Sequence, residues 1–138
     1  VSAGRIFLNE IERYVGARRD FGFETTLAER AYLRLIRRLR DDGWRVELIY
    51  LALPDPEMAR NRVAERVAHG GHDIPDADIE RRFYRSLSNL FGHYAAAVDR
   101  TVCFFNAGQL PEKVFTQRGE DREVLKPALF RAMMEMTL

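Results

Sequence analysis

The sequence predicts an α/β domain, a layered and mostly parallel sheet with helices on both faces. Three observations carry that prediction. Short runs rich in β-branched and aromatic residues alternate with longer segments whose apolar residues recur every three or four positions. Proline and glycine fall between those segments rather than inside them. A chain of 138 residues, 46% hydrophobic and 31% charged, is long enough to bury a core of its own. Strands that alternate with helices need crossovers, and crossovers pair strands in parallel with a right-handed connection. No internal repeat or low-complexity linker divides the chain, so residues 1–138 are expected to be a single domain.

From Ser2 to about Arg18, Ile6, Phe7, Ile11, Tyr14 and Val15 lie on one helical face. Phe21-Gly22-Phe23-Glu24-Thr25-Thr26 reads as a strand followed by a turn. A helix from Leu27 to Asp42 buries Tyr32, Leu33, Leu35, Ile36 and Leu39. It leaves Arg34, Arg37, Arg38 and Arg40 wetter, and Gly43 suits its stop. Trp44 to Leu53 is the clearest strand, ended by Pro54-Asp55-Pro56, where proline can open the next helix, which runs to about Ala68. Gly70-Gly71-His72-Asp73-Ile74-Pro75 breaks it. Another helix is expected from Asp76 to about Tyr94, and a buried strand at Thr101 to Asn106. An edge strand at Lys113 to Thr116 and a terminal helix over Arg122 to Met136, interrupted near Pro127, complete the reading.

The 22 basic and 21 acidic residues nearly cancel, so no global field points to nucleic acid or an acidic membrane, and no nucleic-acid recognition motif appears. The lone Cys103 cannot form an internal disulfide, which fits a reducing cytoplasm. No apolar run approaches the roughly 18 residues of a membrane span. The chain lacks an initiator methionine and starts inside a helical pattern, so it is expected to be a fragment of a longer protein.

Two groups of residues could carry chemistry. Glu24 with Thr25 and Thr26 falls at the carboxyl end of the first expected strand, where open α/β sheets contact ligands. Glu24 could accept hydrogen bonds from a substrate, or it could pair with an arginine while a threonine caps the helix. The second group is Arg60, Arg62 and Arg66, then the Gly70-Gly71-His72 loop, then Arg81, Arg82 and Arg85. Arginines facing across a hinge suit a lid that closes on a moving phosphoryl group. The same arginines could be solvated faces paired with Glu65 and Glu80. His69, His72 and His93 lack metal-ligand spacing, so no metal site is assigned, and Cys103 reads as core.

Phe23-Glu24-Thr25-Thr26-Leu27, the Leu33 to Leu39 helix and the Val46 to Leu53 strand resemble the zeta-toxin-like family of P-loop kinases. So do Arg62-Val63-Ala64-Glu65-Arg66-Val67-Ala68-His69-Gly70-Gly71-His72-Asp73-Ile74-Pro75, Ile79-Glu80-Arg81-Arg82-Phe83 and Ser88-Asn89-Leu90. The resemblance covers about Ser2 to Asn106. It implies an ATP- and magnesium-dependent kinase of P-loop-kinase-like fold with a lid over about residues 60–92. The best-known members phosphorylate the amino sugar of a UDP-sugar and can be partnered by an antitoxin. By the same resemblance Glu24 and Thr25 lie beside the acceptor, Arg66 and Arg82 serve catalysis, and Arg62, Arg81 and Asn106 contact the nucleotide. Arg62 and Arg81 remain rivals of Arg66 and Arg82. The family often has an acidic residue before that asparagine, where this chain has Phe105.

The family's first strand and its Gly-x-x-x-x-Gly-Lys-Ser/Thr loop have no counterpart in these 138 residues. That loop supplies backbone N–H groups and a lysine to the phosphates and a hydroxyl to magnesium. The chain alone is therefore expected to be inactive and to bind neither ATP nor magnesium, with its sheet incomplete. The missing strand is expected between Phe21–Thr25 and Val46–Leu53. Unpaired strand edges there predict a homo-oligomer. The alternative is a non-catalytic remnant used for binding or assembly.

Overall fold

The structure, a computed structural model, describes residues 3–137. Its elements are α1 (Ala3–Gly16), α2 (Tyr32–Asp41), β1 (Glu47–Ala52), α3 (Pro56–Ala68), α4 (Asp76–Asn89), a π-helical turn (Leu90–Tyr94) and α5 (Ala95–Ala97). Then follow β2 (Arg100–Phe105), β3 (Glu112–Arg118), β4 (Asp121–Val124) and α6 (Pro127–Glu135). The chain is an α/β protein, with one sheet in the order β1-β2-β3-β4.

Only β1 and β2 pair in parallel, whereas β2–β3 and β3–β4 are antiparallel. This corrects the mostly parallel expectation, and the reason lies in the connections. Residues 106–111 are too few for a crossover, which takes about a dozen or more. The β3–β4 link is a two-residue turn, Gly119-Glu120, in which Gly119 has φ +58°. A positive φ at the first turn residue alone is the pattern of a hairpin turn of type II′. That hairpin occupies the start of the expected terminal helix, and α6 begins at Pro127, in the first helical turn, where proline costs no hydrogen bond.

Phe21 to Thr25 is not a strand. Its aromatic residues find partners on helices and on the loop before β1 instead of on a sheet. Phe21 stacks on Tyr14 at 5.7 Å and meets Trp44 edge-on at 5.8 Å, while Phe23 packs on Phe7 at 5.3 Å and Tyr32 at 5.0 Å. The next helix starts only at Tyr32, because buried Leu27 has φ +60°. A residue in the left-handed region cannot belong to a right-handed helix.

In register, Leu48, Tyr50 and Ala52 lie beside Thr101, Cys103 and Phe105. With Leu27, Leu87, Leu90, Tyr94, Phe115 and Met133 this face builds the core. Ile49 and Leu51 point the other way and are 68% and 57% exposed. Helices therefore cover one face of β1 and leave the other open, unlike the two-sided expectation. With no strand at Phe21–Thr25, β1 is an edge strand. A register shift between Cys103 and Phe104 leaves Val114 without a partner residue. Its carbonyl instead accepts from Leu125 and Lys126, at 2.8 and 3.1 Å, which ties the hairpin's exit to the sheet. Arg122 lays its guanidinium over Phe91, Phe115 and Phe130 at 5.2–5.5 Å.

Candidate functional site

The carboxyl ends of the parallel pair are joined where Asn106 donates its backbone N–H to the Ala52 carbonyl at 2.8 Å. The Asn106 side-chain oxygen accepts from Gly108 N–H at 3.3 Å, an Asx turn that fixes its orientation. Just beyond Ala52, the Asp55 carboxylate accepts the Met58 N–H at 2.9 Å and caps α3, with Pro56 at its start. This end of a parallel pair is where α/β sheets receive ligands.

α3 and α4 leave that end as a packed hairpin, each burying one side chain in its lid portion, Val63 and Ile79. The bend between them is fixed by backbone chemistry. Gly70 N–H donates to Val67 at 3.0 Å and Gly71 N–H to the Arg66 carbonyl at 2.8 Å, with Gly70 at φ +94°. These paired bonds form a Schellman stop, which needs glycine at the left-handed position. Gly71 is required for a different reason, since a Cβ there would sit 2.9 Å from the Arg66 carbonyl oxygen.

Of the six lid arginines, Arg60 pairs with Glu80 at 3.8 Å and Arg81 with Asp78 at 2.9 Å. Arg62, Arg66, Arg82 and Arg85 are exposed and have no partner among the described residues. Of the two counter-ions that the solvated-face alternative offered, Glu80 takes Arg60, and Glu65 takes no arginine among the described residues. The hairpin thus holds four uncompensated guanidinium groups, an arrangement that attracts a multiply charged anion.

Glu24 is exposed and likewise without a partner among the described residues. The Thr25 and Thr26 hydroxyls accept from Leu27 and Ala28 N–H, both at 3.3 Å, so the threonines shape the turn that holds Glu24. The segment is fastened to the far part of α4. Ser86 donates to the Thr26 carbonyl at 2.5 Å and shares a 2.7 Å hydrogen bond with the Tyr50 hydroxyl. Asn89 donates to the Leu27 carbonyl at 2.7 Å and accepts from Arg30 at 3.2 Å, while Tyr94 donates to the Glu29 carbonyl at 2.6 Å. Ser86, Tyr94 and Tyr50 were not singled out from sequence, and Asn89 entered only within the Ser88-Asn89-Leu90 stretch, with no role assigned. The available signal was polar Ser86 and Asn89 on the apolar face of α4, beside Leu87 and Leu90, where an unbonded polar group would be costly.

The structure therefore links Glu24 and Thr25 to the foot of α4, places Arg62, Arg66, Arg81 and Arg82 on one hairpin, and puts Asn106 at the sheet end. No cluster of three or more His, Cys, Asp or Glu suited to a metal occurs among the described residues. No helix among them is long and apolar enough to cross a membrane. Burial pushes the Cys103 thiol up to about 12, which leaves it unreactive.

The site is thus a parallel strand pair whose carboxyl end leads into an arginine-bearing helical hairpin, within an α/β protein. The chain belongs to the zeta toxin family, whose model matches residues 4–121, from α1 to the start of β4. That membership makes its function kinase-like or toxin-related. No curated protein and no solved structure matches the chain.

Proposed function

We propose that this chain is the lid and acceptor-binding part of an ATP-dependent small-molecule kinase that phosphorylates a hydroxyl, with a UDP-amino-sugar as the leading acceptor. The observation that carries the reading is the hairpin itself, with Arg66 and Arg82 unpaired on opposite sides of a backbone-fixed stop. In this reading Arg66 and Arg82 neutralise charge on the transferring group, Arg62 and Arg81 hold the nucleotide phosphates, and Asn106 lies near the base. Arg81 would first have to leave Asp78, a weak exposed pair. Glu24 accepts from the acceptor's hydroxyl or amide, and Thr25 fixes the turn that presents it.

The residues fit a polyphosphate but do not fit magnesium. No carboxylate cluster or phosphate-loop hydroxyl stands ready among the described residues, so no step here passes through the ion. The chain alone is inactive in this reading, and an antitoxin is the protein partner that the family suggests. The test is calorimetric titration of Mg-ATP and of UDP-N-acetylglucosamine into the chain and into a version joined to an upstream phosphate loop. The reading expects ATP binding and turnover only in the extended protein, with Glu24→Gln weakening the sugar nucleotide in both. Micromolar Mg-ATP binding by the chain itself would overturn the claim of inactivity.

A second reading, an assembly module, is favoured by one observation. β1 offers an unpaired edge flanked by exposed Ile49 and Leu51, a surface that invites strand pairing with a second copy. Light scattering that finds an oligomer broken by Ile49→Lys, with neither protein binding nucleotide, would put this reading first.

A further inference from the structure

At the opposite end of the sheet, below the amino ends of β1 and β2, a cleft of about 700 Å³ lies between α2 and the π-helical turn. That volume is within the range of small-molecule sites, about 300–1,000 Å³. One side of its wall is already satisfied. Arg40 donates to the Ala97 carbonyl at 2.8 Å and pairs with Asp99 at 3.1 Å, and Asp99 also takes the Val46 N–H at 2.7 Å.

The other side is not. Arg37 and Asp41, four residues apart on α2, both line the cleft, and neither has a partner among the described residues. They are one uncompensated charge of each sign, with Cβ atoms about 5–6 Å apart at that helical spacing. Beside them Leu33 and the half-buried ring of Trp44 supply apolar surface, and the Trp44 indole N–H is buried with no acceptor. The facing wall is the π-helical turn, which brings Gly92 to the cleft. Single π-helical turns recur at functional sites.

We propose that this cleft binds a small zwitterion with an apolar body, the chemistry of a free apolar or aromatic amino acid. Its carboxylate lies on Arg37 and its ammonium on Asp41, and its side chain packs on Leu33 and Trp44. A lone anion would leave Asp41 opposed, and a lone cation would leave Arg37 opposed. A direct Arg37–Asp41 pair on the exposed helix is worth only about 0–1 kcal/mol, so a ligand that engages both charges out-competes it.

Trp44 is the only tryptophan in the chain and serves as the reporter. The experiment is a titration of its emission with L-phenylalanine, N-acetyl-L-phenylalanine, which has no ammonium, and phenethylamine, which has no carboxylate. Saturable binding of L-phenylalanine is expected, with each single-charge analogue about ten-fold weaker or more, as loss of one charge-assisted contact implies. Arg37→Gln and Asp41→Asn should each weaken L-phenylalanine similarly. Gly92→Gln should block it without a clash, since a Cβ at Gly92 meets nothing within 4 Å. Melting curves of each variant check that it remains folded, and Arg82→Gln, on the distant hairpin, should leave the titration unchanged. No saturable response, equal response to either analogue, or indifference to Arg37→Gln in folded protein would overturn the proposal.

Discussion

Asn89, buried at the end of α4, donates its side-chain amide to the carbonyl of Leu27, a residue held at φ +60° with its side chain in the core. A polar side chain on one element therefore fixes an unfavourable backbone conformation on another. Backbone strain of this kind persists only where surrounding contacts over-determine it.

Replacing Asn89 with leucine keeps the branching of the side chain but leaves the Leu27 carbonyl without its partner. Unfolding in urea should show a loss of about 1–3 kcal/mol, the cost of an abandoned buried acceptor. Amide exchange at Leu27 and Ala28 should rise more than exchange in β2. A uniform rise across the chain would mean that Asn89 stabilises the fold without specifically holding this turn.

Leu27 itself gives a test whose sign runs against habit. Glycine is usually the poorer replacement for a buried leucine, but here it is free of the left-handed penalty of about 1–2 kcal/mol that alanine retains. Leu27→Gly should therefore melt no lower than Leu27→Ala. A clearly lower melting temperature for the glycine variant would show that φ +60° is not what the position demands.

At the bend of the hairpin, Gly71→Ala should destabilise by about 1–3 kcal/mol, because its methyl group would press on the Arg66 carbonyl. Gly22→Ala is the control. A Cβ there meets nothing within 4 Å, so its effect should stay within about 0.5 kcal/mol.

Alkali should unfold the protein through its core. Burial raises the Cys103 thiol from 9.0 to about 12 and the Tyr50 phenol from 10.0 to about 12. The folded protein keeps protons that the unfolded chain releases, so stability is full below about pH 9 and drains as pH climbs toward 12. Cys103→Ala should remove the portion that begins near pH 9, seen as a flatter urea midpoint between about pH 8 and 10. Asp99 acts at the other extreme. The Val46 N–H, and then Arg40, hold its carboxyl below its usual range, so its contribution is present above 3.8 and is lost as pH falls. Asp99→Asn should blunt that acid-side loss.

The hairpin was readable from sequence because its signals are local. Arg66, Gly70, Gly71 and Arg82 stand in an order and spacing that already describe a helix, a stop and a second helix, and the structure adds the bonds that make the stop. The β1 and β2 strands were legible for the same reason, as apolar runs bounded by turn residues. Phe21 to Thr25 misled because aromatic residues favour strands and aromatic clusters alike, and only tertiary neighbours such as Tyr14 and Trp44 decide between them. The β3–β4 hairpin was missed because Gly119 is a single weak signal within a charged run. Ser86 and Asn89 escaped because their partners lie about sixty residues away in sequence, and no periodicity reports such pairings.

The hairpin stands on two unlike feet. α3 rises from the Asp55 cap at the sheet's end, and the far part of α4 is riveted through Ser86 to both Thr26 and Tyr50. Between those ends the two helices pack on each other, α3 burying Val63 and α4 burying Ile79. Arg66 stands beside the Schellman stop at the tip, and Arg62 and Arg82 lie farther down the two helices. Through the same Ser86 the turn presenting Glu24 is fastened to the base of the hairpin, so the acidic side chain and the unpaired guanidinium groups share one scaffold while standing at different heights on it.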